Sequence, residues 1–265
     1  MKNKPNPENR YAALIESIFL GKYKKGATDI PFHRDEFTAT AKKLNIRLPK
    51  NIGDVIYSIR YRMPLPESIS KTQTSGKEWL IEGRGRSQYA FRLAAVNRVL
   101  PNPQLAAIKI PDATPEIVAA YALSDEQSLL AKVRYNRLID IFLGVAAYSL
   151  QNHLRTTVTG LGQVEIDEIY AAIDKRGRQY IIPVQAKGGS DRLSTVQAKQ
   201  DMACCAEIFP HLICRSISAQ FIEDDLIALF ELGPSGNEIR IVEEKHYRLV
   251  PADKITQSEL RSYDA

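Results

Sequence analysis

Hydrophobic positions along the first third of the chain recur at helical spacing and then give way to alternation. Asn9–Leu20 carries apolar residues on one helical face, and a second helix is expected near Arg34–Leu44, with His33 or Asp35 as its cap. A third follows Leu48-Pro49 and runs over about Asn51–Tyr61, with Pro49 suited to the helix entrance. Glu78–Glu82 and Gln88–Arg92 then alternate as two strands around Gly83-Arg-Gly-Arg86.

Prolines interrupt the pattern at Pro101, Pro103, Pro111 and Pro115, making 100–123 the expected linker between domains at 1–99 and 124–265. Ser124-Asp-Glu-Gln127 has the form of a capping box, and the apolar residues behind it predict one long helix through Tyr148. Val164–Ile173 and Gln179–Val184 are β-rich and separated by the turn Asp174-Lys-Arg-Gly177. A helix at Leu193–Ile208 and strands at Leu212–Ile222 and Leu226–Glu231 complete an α/β pattern with a central sheet.

Charge changes sign where the prolines fall. Residues 1–98 hold 19 lysines and arginines against 9 acidic residues, a net of +10, whereas the whole chain is only +5, so the remainder is −5. A basic module joined to an acidic one suggests polyanion binding coupled to a unit that keeps carboxylates for a purpose. No apolar run approaches the roughly 20 residues that span a bilayer, and the N-terminus lacks the apolar core of a secretory signal; the expectation is a cytoplasmic protein with no membrane partner. Cys204, Cys205 and Cys214 lack zinc-site spacing and read as buried small residues. None of the four histidines falls in a ligand pair or beside a candidate nucleophile.

Chemistry concentrates in Val164-Glu-Ile-Asp-Glu168 and Pro183-Val-Gln-Ala-Lys187. Side chains alternate across a strand, so Gln185 and Lys187 share one face, as do Glu165 and Asp167. A tight turn between the two strands brings those faces together. Ile181-Ile-Pro-Val184 is apolar enough for a buried central strand, where a glutamine and a lysine are costly without a purpose. Val-Gln-Ala-Lys recurs at 196–199, but in a helical pattern Gln197 and Lys199 diverge by about 200°, so that copy reads as helix surface.

An acid on one strand, then acid-x-Lys on the next, with one helix before and another after, resembles the PD-(D/E)xK nuclease superfamily over about residues 124–232. No Pro precedes Asp167, and Gln185 stands where Asp or Glu is usual, a Gln-x-Lys form similar to that of Mrr-like restriction nucleases. The resemblance implies a restriction-endonuclease-like mixed central sheet flanked by helices and an Mg²⁺-dependent endonuclease. Asp167 and Gln185 would supply metal ligands, Lys187 would position the attacking water or stabilise the transition state, and Glu165 is the nearest further carboxylate. Asp140, and less so Glu126, would supply an acid from the preceding helix. Gly188-Gly189 would leave room for a DNA backbone.

Three helices and a strand pair with a Gly/Arg tip resemble a winged helix-turn-helix domain over about residues 9–95. That resemblance implies a helix offering Lys50, Asn51, Ser58 and Arg60 to the major groove, and Arg84 and Arg86 reaching phosphates or the minor groove. The combined expectation is a type II restriction enzyme cutting double-stranded DNA as a homodimer, with a cognate DNA methyltransferase as genetic partner. The alternatives are a modification-dependent or branched-DNA nuclease, and a DNA-binding regulator on an inactive nuclease fold.

Overall fold

A computed structural model describes residues 7–61, 63–95, 99–121, 125–188, 193–236 and 238–263. The chain forms two compact units, Met1–Asn97 with Thr159–Gly162, and Arg98–Val158 with Gln163–Ala265.

The first unit opens with α1 (Pro7–Lys22), whose Leu14, Ile15, Ile18 and Phe19 form the stripe that the apolar spacing dictates, and all four are buried. β1 (Asp29–His33) alternates, burying Ile30 and Phe32. α2 (Asp35–Lys43) carries acids in its first turn and lysines in its last, as the helix dipole favours. α3 (Ile52–Tyr61) buries Val55, Ile56 and Ile59, and Asn51 Oδ1 accepts the Gly53 N–H at its entrance. After the single turn α4 (Glu67–Ser70) come β2 (Lys77–Gly83) and β3 (Gln88–Ala95), giving an antiparallel sheet in the order β1-β3-β2. Phe19 meets Trp79 and Phe91 edge-on in the shared core. β1, which the sequence analysis does not anticipate, carries Pro31 and lies at the sheet edge, where a missing N–H is tolerated.

The second unit is α/β, a mixed sheet flanked by helices. The stretch expected as a linker contributes β4 (Ala107–Pro111) and α5 (Glu116–Tyr121) to it. Then come α6 (Asp125–Tyr135), α7 (Leu138–Leu143), β5 (Ala146–Val158), β6 (Gly162–Ile173), β7 (Gln179–Lys187) and α8 (Thr195–Ile208). β8 (Ile213–Cys214), β9 (Ser216–Glu223), β10 (Leu226–Ser235), β11 (Glu238–Val250), a 3-10 turn and α9 (Gln257–Ser262) complete it. The strand order is β4-β11-β10-β9-β7-β6-β5. β6 and β7 are antiparallel, while α8 carries the chain across so that β9 runs parallel to β7. No helix among the described residues is long and apolar enough to cross a membrane.

Alternation along β10 shows how both faces are covered. Ile227 and Leu229 join the core formed with α6 and α7, whereas Ala228 and Phe230 join the core that includes Ala198 of α8. β7 lies between β6 and β9 with residues 180–186 buried, as its apolar run requires.

The single helix expected from Ser124 to Tyr148 does not form. Arg137 adopts φ +54° between α6 and α7, Gly144 closes α7 at φ +64°, and the chain becomes β5 at Ala146. Ser124 itself lies outside the described residues.

Candidate active site

β6 and β7 exchange registered pairs from Ile173/Gln179 up to Glu168/Val184. Beyond that point β7 pairs with β9 on its other side, through Gln185/Ser218, Ala186/Ala219 and Lys187/Gln220. Toward β6, side chains replace main-chain bonds. Asp167 Oδ2 accepts the Ala186 N–H at 2.9 Å, and Gln185 Nε2 donates to the Glu165 carbonyl at 3.0 Å. The two strands thus part where Asp167, Gln185 and Lys187 come together, as alternation predicts.

Gln185 is fully buried and its amide is committed on both atoms. Nε2 also donates to Asp201 Oδ1 at 3.2 Å, and Oε1 accepts from Gln197 Nε2 at 2.8 Å. The expected role of Gln185, an amide oxygen offered to a metal ion, does not match this geometry, because that oxygen is turned toward α8. Gln197, read from sequence as helix surface, is half-buried against the strand instead. Ser194 caps α8 by accepting the Gln197 N–H, which starts the helix beside β7.

Asp201 lies one turn after Gln197 and is completely buried, with Oδ2 lacking any hydrogen-bond partner. Burial pushes its carboxyl well above the usual carboxylate range; the Gln185 hydrogen bond opposes that shift, and the nearby Asp167 charge adds to it. Burial also raises Asp167, against the Lys187 ammonium, the Ala186 N–H and, when its ring is protonated, His153, which favour the ionised form. Glu165 reinforces the rise by like charge and pairs with Arg155 at 3.0 Å.

Of the two helix acids weighed from sequence, Glu126 is the one beside the site, with Oε1 4.0 Å from Lys187 Nζ. Asp140, the favoured one, instead accepts the Ala147 N–H at 2.9 Å and pairs with Arg137. It lines a separate cavity of about 280 Å³ with Arg134, Tyr148 and Tyr170. Its job is to fasten α7 to the start of β5. On the opposite face of β6, fully buried Glu168 accepts from Arg134 Nε at 2.9 Å and Ser149 Oγ at 2.5 Å. Gly188 is described, and Gly189 lies outside the described residues.

In the first unit Lys50 and Asn51 are exposed at the start of α3 and Ser58 is half-buried, while the Arg60 side chain lies outside the described residues. Arg84 pairs with Asp29 of β1, and Arg86 is exposed at the β2–β3 tip.

Three participants escaped sequence reasoning. Gln197 and Asp201 stand four residues apart in α8, on the face that also carries Cys205, and that spacing beside buried Ala198 was the available signal. His153 had no local signal. No family model matches the chain, and no curated protein or solved structure matches it either.

Proposed function

We propose that the second unit is a metal-dependent phosphodiesterase of the PD-(D/E)xK type, and that the first is a winged-helix module that brings it to double-stranded DNA. One observation carries the reading: Asp167 and Lys187 stand at the parted end of neighbouring strands, with Glu126 of the preceding helix beside the lysine. The order of α6, α7, β6, β7 and α8 supplies the helices that this arrangement needs on either side.

The donor chemistry suits Mg²⁺, which takes oxygen ligands, uses one or two carboxylates and keeps several waters. Asp167 gives one oxygen to the Ala186 amide, and burial raises the free energy of its charge, so a cation nearby relieves it. Asp167 would hold the ion with Glu126 or Glu165 next to it. Among the described residues, no group of three or more His, Cys, Asp and Glu side chains closes on one point, so an ion bound here would need water and phosphate to complete its coordination. A bound ion would neutralise phosphate charge and lower the pKa of a water. Lys187, with its side chain 14% exposed and its ammonium held near Glu126, offers a fixed positive charge to the attacking oxygen or the developing phosphorane. Gln185 holds the Glu165 carbonyl and α8 in register behind them.

The basic first unit supports DNA as the substrate, through the phosphate attraction that a net +10 over residues 1–98 provides. Its α1-β1-α2-α3-α4-β2-β3 order and three-stranded sheet support the winged-helix reading. Double-strand cutting by a homodimer, and a methyltransferase partner, belong to the same proposal.

The test incubates the purified chain with unmodified and methylated plasmid in Mg²⁺ or in EDTA. Discrete fragments in Mg²⁺ alone, lost in Lys187→Ala, are the expected result, and the methylation arms identify a modification-dependent enzyme. The locked amide of Gln185 favours one other reading, a DNA-binding regulator. Specific binding without cutting in any divalent metal would select it.

A further inference from the structure

His153 breaks the regularity of β5. It has φ +48°, a conformation L-residues rarely adopt, in the middle of a thirteen-residue strand, and its side chain is exposed. Glycine would occupy this backbone without strain, so the chain keeps an imidazole where conformation alone would choose against one.

The ring is also oriented. Gln127 Nε2 lies 2.9 Å from His153 Nε2. An amide nitrogen donates only, so Nε2 is the acceptor and the proton resides on Nδ1. Gln127 follows Glu126, whose carboxylate stands beside Lys187, and the ring lies near enough to Asp167 for a charge on it to be felt there. α6 and β5 therefore hold His153 at the rim of the same site.

We propose that His153 is a substrate-binding residue of this site, donating its Nδ1–H to a phosphate oxygen of the strand placed before Asp167 and Lys187. The assignment rests on the nuclease reading. It explains the three observations together: a left-handed backbone aims the ring off the strand, Gln127 fixes the tautomer, and the free N–H offers a neutral donor to an anion. A donor of this kind binds phosphate without adding a second cation next to Lys187.

The discriminating variant is His153→Gly, which relieves the backbone and removes the ring. A residue needed only to turn the strand would be replaced by glycine without loss. We expect an unchanged or higher melting temperature and a fall of at least tenfold in kcat/KM on duplex DNA with Mg²⁺, expressed mainly in KM. His153→Asn, which tolerates the same backbone and keeps an N–H donor, should recover part of the loss. Glycine cutting with the parent's kcat/KM overturns the proposal.

A second readout needs no cleavage. The ¹⁵N-labelled full chain is titrated, without metal, with the thymidine dinucleotide pTpT, and the imidazole resonances absent from His153→Gly are followed. Movement of those resonances beyond the other three histidines supports the contact. Their silence overturns it even in an active enzyme. Movement in a chain that never cuts DNA retains the phosphate contact and sinks the nuclease reading instead.

Discussion

Gln197 Nε2 donates to Gln185 Oε1 across 2.8 Å, so the two copies of Val-Gln-Ala-Lys in this chain meet through their glutamines. One copy lies in β7 and the other opens α8, and their amides tie the crossover helix to the strand that presents Lys187. Gln197→Ala leaves the buried Gln185 oxygen without its donor. The expected cost is about 1–2 kcal/mol, read as a drop of several degrees in melting temperature. A loss of cutting should accompany it, since Gln185 holds the Glu165 carbonyl on the neighbouring strand. An unchanged melting curve would show that the amide pair is not a fastener.

Asp167 should behave as a group kept for chemistry at a cost to stability. Its ionised form is disfavoured by burial in the fold, so Asp167→Asn is expected to melt at or above the parent temperature at neutral pH. Mg²⁺ binding followed by calorimetry should weaken at least tenfold, and cutting should fall at least a hundredfold. A variant that binds the ion as tightly as the parent does would exclude Asp167 as a ligand.

Asp201 makes a pH prediction with a definite sign. Its carboxyl is raised above the unfolded value, so its contribution is fully present below about pH 4, the ordinary aspartate value, and is lost as pH rises through the folded pKa. Asp201→Asn mimics the neutral acid and cannot ionise. Its melting temperature should therefore gain on the parent's as pH is raised from 5 to 8. A constant offset across that range would mean that Asp201 ionises alike in folded and unfolded chains.

Arg134 and Glu168 pair on the other face of β6 at 2.8 Å, the carboxylate buried and the guanidinium partly exposed. Arg134→Ala strands a carboxylate of zero exposure, one of whose oxygens already lacks a partner, and should cost about 3–5 kcal/mol. Adding Glu168→Gln should return part of that, because a neutral amide is cheaper to leave inside. Urea denaturation of the single and double variants measures the difference.

How much of this was legible depended on how local each signal was. β6 and β7 announce themselves through an apolar run, a four-residue turn and strict alternation, and their pairing needs no distant partner. Hence Asp167 beside Lys187 followed from sequence. β5 did not, because Leu138-Ile-Asp-Ile-Phe-Leu143 continues a helical pattern and the strand beyond it is a largely exposed edge without clear alternation. Gly144 was the stop signal. Without β5 the sequence gives His153 no place, and it favours Asp140 over Glu126 as the helix acid. The commitment of Gln185 was hidden for a different reason. Strand alternation gives the face of a side chain, while the partner of a buried amide is set by tertiary packing of α8.

The order of the sheet also separates its assembly in time. The β6–β7 hairpin closes a short loop, while β4 meets β11 through pairs such as Ala107 with His246, and β7 meets β9 only after α8 has crossed. Loop-closure entropy favours the hairpin first and the distant edge last. Asp167 thus reaches the Ala186 amide early in folding, but Gln185 stays solvated until the crossover docks. A slow refolding phase that reports α8, preceded by protection of the hairpin amides in pulsed hydrogen exchange, is the kinetic signature this topology carries.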